Sequence, residues 1–238
     1  MLYIVATPIG NLDDISARAA RILGDTDVIA CEDTRRTRAL LSHLGIGRPK
    51  FMISYREHTE HSAGERLLGF LQEGRNVVLC TDGGYPGISD PGYRLVRLAI
   101  DNTIEVQVIP GASAVPVALI ASGLATSSYI FKGYPPRKSG PVSRFFDVDA
   151  DTEHTLVIFE SPFRVAKTLH AALKSLGDRQ AAVCVELTKK YERISRGYLK
   201  DLCSEFDGVP IKGEVTIVIA GCNPKFRRKS NGRKDDDS

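Results

Sequence analysis

Short apolar runs and longer amphipathic stretches alternate along the chain. The apolar runs predict buried strands, which in the first half cover residues 2–6, 27–31, 51–53, 76–80 and 104–109. Apolar residues at helical spacing predict helices over 14–23, 34–44, 62–71 and 93–102, and a further helix after the turn at 110–113. Strands that alternate with helices in this way indicate a mainly parallel sheet with helices on both faces.

The second half of the chain is also α/β in pattern, but its strands indicate more antiparallel pairing. The predicted strands cover 129–132, 155–159, 181–185, 193–196 and 214–220. Ser161 and Pro162 suit the N-cap and first turn of a helix, and the Pro-, Gly- and base-rich stretch 133–144 predicts a loop. We therefore expect an N-terminal α/β domain over 1–123, a C-terminal α/β domain over 124–222 and a disordered charged tail over 223–238.

Composition and charge narrow the classes of function. Of the 238 residues, 42% are hydrophobic and 26% charged, as in ordinary globular proteins. The chain has no apolar run of about 18 residues and no signal-peptide pattern, and its five cysteines lack a CxxC pair, so we expect a cytoplasmic protein with buried thiols. The net charge of +3 equals the surplus within residues 225–238, which argues against coating of nucleic acid along the whole chain.

The segment TDGGYPGISDPG at 81–92 is the strongest candidate for a binding site. Six of its twelve residues are Gly or Pro, so it predicts neither helix nor strand. Its glycines remove Cβ atoms where a ligand or another backbone comes close, and Asp90 with Pro91 suits the start of the next helix. Such loops between strand and helix bind ligands in α/β proteins, although a long turn without a ligand is the alternative.

Three other loops follow strands of the same predicted sheet, at 7–11, 32–38 and 110–113. In a parallel sheet all of them emerge at the carboxyl edge, where ligands bind. The sequence contains no GxxxxGK[ST], GxGxxG or GxSxG motif and no cluster with metal-ligand spacing. ATP hydrolysis, dinucleotide binding, a serine nucleophile and a metal centre are therefore poorly supported.

Charged residues at strand ends are candidates for chemistry. EDTRRTR places two acids before three bases, namely Glu32, Asp33, Arg35, Arg36 and Arg38. This order satisfies the helix dipole and i,i+4 pairing, or it lets an arginine meet a phosphate while an acid lies near the reacting group. The charged residues at 186–190 and 212–214 also lie at strand ends, where they are either part of a site or ordinary hairpin ends.

Seven ordered segments resemble the small-subunit ribosomal RNA methyltransferase I family of the tetrapyrrole-methylase-like class. They are TPIGNLDDI (7–15), EDTRRT (32–37), TDGGYPGISDPGYRLV (81–96), IPGASA (109–114), FESPFR (159–164), ELTKKYE (186–192) and GEVTIVI (213–219). The resemblance implies a two-domain α/β fold with a mainly parallel N-terminal sheet, a mixed C-terminal sheet and S-adenosylmethionine in the cleft between them. It also implies 2′-O-methylation of a cytidine ribose in small-subunit ribosomal RNA by a homodimer.

By position, the resemblance also implies which residues bind S-adenosylmethionine. The methionine part would be held by Pro8, Asp82, Gly83, Gly84, Ile88, Asp90, Ala112 and Ser113. Adenine and ribose would be held by backbone around Glu160, Ser161, Leu187 and Glu214. The chain departs from the family at Tyr85, where Thr is usual, and at Ala112, where Pro is usual.

A ribose hydroxyl is a poor nucleophile, so a base that takes its proton would help. The candidates are Asp33, Glu32, Glu186 and Lys189, the lysine only if burial lowers its pKa. We favour Asp33 for the proton and Arg35 for a phosphate. The residues expected to contact RNA are Arg35, Arg36, Arg38, Arg137 and Lys138, with the tail. A tetrapyrrole methylase and a non-catalytic RNA-binding relative are the alternatives.

Overall fold

A computed structural model describes residues 1–228. The backbone groups into two compact units, the first covering Met1–Ala114 and the second beginning at Val115. The predicted boundary near residue 123 lies at the other end of the helix that follows this division, Ala114–Ser122. The predicted domain limits stay a prediction.

The first unit contains a five-stranded parallel sheet in the order β3-β2-β4-β1-β5. The strands are β1 (Leu2–Val5), β2 (Val28–Cys31), β3 (Phe51–Ser54), β4 (Val77–Cys80) and β5 (Val106–Ile109). The helices are α1 (Ala17–Asp25), α2 (Thr34–His43), α3 (Glu60–Gln72) and α4 (Tyr93–Asp101). Every residue of β2 and β4 is buried, because helices cover both faces of the sheet. The predicted parallel sheet is confirmed.

Helices on the two faces build separate cores. Leu67 of α3 and Leu95 of α4 share one core with Ile4, while Leu23 of α1 shares the other with Ile29. Each buried leucine or isoleucine contributes about 1.5–3 kcal/mol relative to exposure. The sheet is thus held from both sides, and its carboxyl edge is left to the loops.

The second unit contains a mixed sheet in the order β6-β7-β10-β8-β9, in which only β6 and β7 pair parallel. The strands are β6 (Tyr129–Phe131), β7 (Thr155–Glu160), β8 (Gln180–Val185), β9 (Arg193–Tyr198) and β10 (Val215–Ile219). The helices are α5 (Ala114–Ser122), α6 (Ser139–Asp147), α7 (Val165–Leu176) and α8 (Leu199–Phe206). The predicted antiparallel character is confirmed.

The structure corrects three local predictions. Much of the predicted loop 133–144 belongs to α6, because Val142 and Phe146 turn into the core. The N-cap of α4 is Gly92 (φ 154°), not Asp90. Likewise α7 begins at Val165, because the chain first makes a turn in which Arg164 N–H donates to the Ser161 carbonyl (2.9 Å).

The start of the predicted tail is ordered as far as the structure describes it. Residues 224–226 form a short 3-10 helix. The guanidinium of Arg228 pairs with Asp178 (2.9 Å) and Asp201, which holds the segment to the second unit. Residues 229–238 lie outside the described residues. None of the helices within 1–228 has the length and apolar character needed to cross a bilayer.

The cysteines predicted to be buried, Cys31, Cys80 and Cys184, are buried free thiols. Burial raises the pKa of Cys184 to about 11. A thiol with so high a pKa stays protonated at neutral pH and is a weak nucleophile. These side chains therefore pack rather than react.

Candidate functional site

The loops at 7–11 and 81–92 (the glycine loop) are joined at the carboxyl edge of the parallel sheet. Thr7 and Gly84 exchange two main-chain hydrogen bonds, of 3.0 and 2.9 Å, and the Thr7 hydroxyl donates to the Thr81 carbonyl (3.0 Å). A Cβ on Gly83 would lie 3.3 Å from the carbonyl oxygen of Pro8, which is itself buried. The main chains of the two loops therefore pack closely against each other at this edge.

The glycine loop is also joined to the segment EDTR. Asp82 accepts from the Asp33 backbone N–H (3.1 Å), and its second oxygen lies 3.6 Å from Arg36 Nη1. The guanidinium of Arg56 donates to the Glu32 carbonyl (2.9 Å) from the residues after β3. Asp82 therefore connects two loops of the predicted site, and sequence reasoning missed the contribution of Arg56.

The side chain of Asp33 is engaged within its own helix. It caps α2 by accepting from Arg35 N–H (2.8 Å), and the guanidinium of Arg35 donates to both of its oxygens (3.1 and 2.7 Å). These bonds from Arg35 hold the pKa of Asp33 well below its usual range. A carboxylate bound in this way is a poor proton acceptor, which favours the helix-capping interpretation of this residue.

The neighbouring Glu32 has the opposite electrostatics. It is half-buried, and burial together with the negative charge of Asp82 raises the pKa of Glu32. A base whose pKa lies closer to neutral takes a proton more effectively. Of the two acids, Glu32 is therefore better suited to accept a proton.

Tyr85 joins the glycine loop to the loop after β5. Its hydroxyl accepts from the Gly111 backbone N–H (3.0 Å). This contact positions the predicted ligand residues Ala112 and Ser113, which follow and are half-buried. Local sequence signals gave no indication of it, because the partners are far apart in the chain.

The remaining part of the glycine loop turns outward. Ile88 is 48% exposed, and its N–H donates to the Tyr85 carbonyl (3.2 Å). Asp90 is half-buried, and a main-chain bond from Gly87 N–H to the Pro91 carbonyl (3.3 Å) closes the turn. Ile88 is thus available to a ligand.

In the second unit, three predicted site residues form one ionic cluster. Lys189 Nζ donates to Glu186 (2.8 Å) and to Glu214 (3.0 Å). Burial acts to lower the pKa of Lys189, but these hydrogen bonds and charges outweigh it and raise that pKa. The structure therefore does not meet the condition set for Lys189 as a base. Leu187, which lies between Glu186 and Lys189 in the sequence, is buried.

Glu160, another predicted ligand residue, is buried and fully engaged. Its carboxylate accepts from Ser161 N–H (2.7 Å), from Arg164 Nη2 (2.9 Å) and from the Thr168 hydroxyl. Arg164 was not predicted as a site residue. The Glu160 side chain therefore fixes the turn after β7, which leaves only nearby backbone for a ligand.

The residues predicted to contact RNA fall into two groups. Arg35 and Arg36 interact with Asp33 and Asp82, as described above. The other three are exposed, and the part of the chain from 1 to 228 offers them no ion-pair partner: Arg38, Arg137 and Lys138. These three cations remain available to a phosphate.

Comparison with known proteins identifies relatives over nearly the whole chain. Residues 1–203 match the family of Tetrapyrrole (Corrin/Porphyrin) Methylases. "Ribosomal RNA small subunit methyltransferase I" of Halalkalibacterium halodurans is 45% identical over 94% of this chain and 77% of its own length. The protein of the same name from Synechocystis sp. is 44% identical over 95% of this chain and 81% of its own length.

Solved structures with the same fold are more distant in sequence. Diphthine synthase has a TM-score of 0.70 and 16% identity, over 92% of this chain and 89% of its own. Uroporphyrin-III C-methyltransferase from Thermus thermophilus, complexed with S-adenyl homocysteine, has a TM-score of 0.62 and 20% identity, over 92% and 96%. At these identities the likeness establishes the fold.

Proposed function

The chain belongs to the tetrapyrrole methylase family and, within it, to the ribosomal RNA small subunit methyltransferase I group, and from this we propose that it methylates small-subunit ribosomal RNA with S-adenosylmethionine. The acceptor is the 2′-oxygen of a cytidine ribose. The observation that carries the proposal is the 45% identity over 94% of the chain. Corrin and porphyrin methylases of known structure share far less sequence, which disfavours the tetrapyrrole alternative.

The carboxyl edge of the parallel sheet suits the methionine part of the methyl donor. Gly83 and Gly84 have no Cβ, so the main chain of the glycine loop packs closely against Pro8, and Ala112 and Ser113 are half-buried in the loop after β5. S-adenosylmethionine supplies an already activated methyl group. The residues of the chain therefore need only position the hydroxyl and remove its proton.

We propose that Glu32, rather than Asp33, removes the proton of the ribose hydroxyl. The pKa of Glu32 is raised by burial, whereas hydrogen bonds from Arg35 lower that of Asp33. Asp33 then acts as a positioning residue, since it caps α2 and holds Arg35. Arg38, Arg137 and Lys138 bind RNA phosphates, which makes binding weaken with salt.

The test is loss and recovery of one methyl group. In a strain that lacks the chain, mass mapping of small-subunit ribosomal RNA should show one missing cytidine 2′-O-methyl group, restored by the wild-type gene. The purified chain should bind S-adenosylmethionine by calorimetry. An unchanged RNA would overturn the assigned substrate, and absence of cofactor binding would favour the non-catalytic alternative.

We propose a cytoplasmic location, because the proposed substrate is ribosomal RNA, and a homodimer as the assembly. Light scattering of the purified protein checks the second point, because it separates the mass of one 26.0 kDa chain from that of two. A monomeric mass at working concentration would contradict the dimer.

A further inference from the structure

Phe163 is unusually open to solvent and is held on a rigid turn. Its side chain is 93% exposed, the highest value among the large hydrophobic residues of 1–228. The turn has Pro162 at its second position and is closed by the 2.9 Å bond between Arg164 N–H and the Ser161 carbonyl. Glu160 fixes both ends of the turn through Ser161 and Arg164. The exposed ring is therefore presented by backbone that has little freedom left to lose.

A basic segment lies directly beside this turn. Arg164 Nη2 donates to the carbonyl of Pro135 (2.7 Å), which ties residues 133–138 to the turn. Arg137 and Lys138 of that segment are exposed, and neither has an ion-pair partner among residues 1–228. Residues 133–144 contain no acid, so nothing within the segment neutralises these cations.

A second aromatic ring extends the surface. Tyr134 is 58% exposed, and its ring centroid lies 5.7 Å from that of Phe159. Exposed rings with unpaired cations beside them match the requirements of single-stranded nucleic acid, whose bases stack and whose phosphates need neutralising. A purely apolar protein partner would leave Arg137 and Lys138 without counter-charge.

We propose that Phe163 stacks on an unpaired base of the RNA substrate, with Arg137 and Lys138 on the flanking phosphates. The inference rests on the proposed function, because it names how that substrate is held. Stacking on an aromatic side chain tolerates any base. Phe163 therefore contributes affinity for an unpaired strand, while sequence selection lies elsewhere.

The test measures binding to small-subunit ribosomal RNA by filter retention for F163A, F163L and F163W. One stacked base corresponds to about a tenfold or greater change in affinity. F163A and F163L should both bind about tenfold more weakly, F163W should bind like the wild type, and the salt dependence should be unchanged. R137A should instead flatten the salt dependence. V148A is the matched control, because Val148 is also an exposed apolar residue of the second unit (78%) and should have no effect.

Two further readouts separate the outcomes. All variants should keep wild-type affinity for S-adenosylmethionine by calorimetry and wild-type mass by light scattering. A mass change in F163A would assign the ring to a subunit contact and overturn the inference, as would wild-type RNA affinity in F163A or retained affinity in F163L. If the wild-type protein itself binds neither RNA nor S-adenosylmethionine, the proposed function fails instead.

Discussion

At the carboxyl edge of the parallel sheet the loops at 7–11 and 81–92 are joined mainly through main-chain groups, whereas the turns of the second unit are held by charged side chains. Thr7 and Gly84 illustrate the first arrangement. The Glu160–Arg164 pair and the cluster around Lys189 illustrate the second. Close main-chain contacts hold the first two loops in place, while paired charges fix a turn and are then unavailable for chemistry. A charged residue at a strand end is thus a weak indication of catalysis until its partners are known.

The largest effect is expected from breaking the charge-based arrangement. Glu160→Ala removes the carboxylate that pairs with Arg164, and the Glu160 side chain is fully buried. The substitution should therefore lower the free energy of unfolding by about 3–5 kcal/mol. Urea unfolding followed by circular dichroism measures it. Glu205→Ala, which breaks an exposed pair with Arg193, should cost about 1 kcal/mol or less. Equal losses in the two variants would contradict the distinction.

Local sequence patterns predict the strands of the fold but not most of the contacts between the loops. The apolar runs of β2 and β4 predicted buried parallel strands correctly, because a strand covered on both faces must be apolar throughout. Helix α6 was missed, since Pro, Gly and basic residues obscure the inward-facing Val142 and Phe146. The bond between Tyr85 and Gly111 joins residues that only the fold brings together.

The same limit applied to the choice between the two acids. Glu32 and Asp33 are adjacent, and both precede the arginines of α2. Their different pKa shifts arise from burial and from the exact reach of Arg35, which no spacing rule supplies. Sequence located the pair, and only the structure distinguished its members.

The second largest effect is expected on the methylation rate, and it tests the distinction between Glu32 and Asp33. Glu32→Gln should lower the methylation rate about 100-fold, the usual contribution of a general base, with cofactor affinity retained. A base must be unprotonated, so the wild-type rate should fall as pH drops through the raised pKa of Glu32. The variant should also be slightly more stable at neutral pH, because folding disfavours the charged form of Glu32.

Asp33→Asn is the matched comparison for Glu32→Gln. Its rate should fall through the weakened cap of α2 and the loss of Arg35 positioning, while the acid limb of the pH–rate profile stays where it is in the wild type. Initial rates with labelled methyl donor, from pH 5 upward, measure both variants. If the acid limb disappeared in Asp33→Asn alone, the base would be Asp33 and not Glu32.

A smaller effect should follow from disturbing the backbone-based arrangement. A Cβ on Gly92 would lie 2.8 Å from the backbone nitrogen of Gly87, and the residue has φ 154°. Gly92→Ala should therefore cost about 2–3 kcal/mol of stability and weaken cofactor binding. Gly69→Ala, where a Cβ meets nothing within 4 Å in α3, should stabilise by about 0.5–1 kcal/mol. Thermal unfolding with and without S-adenosylmethionine measures both changes.

The smallest effects distinguish two tyrosine hydroxyls. Tyr85→Phe removes the acceptor for Gly111 N–H and should cost about 1 kcal/mol. The hydroxyl of Tyr55 is buried beside a cavity of about 140 Å³, close to Glu60 and Leu95, and makes no hydrogen bond of normal geometry within residues 1–228. Tyr55→Phe should therefore leave stability unchanged or raise it, since removing an unpaired buried hydroxyl relieves a desolvation cost. A loss as large as that of Tyr85→Phe would mean that the Tyr55 hydroxyl is paired after all, with Glu60 or Leu95 as the nearest partner.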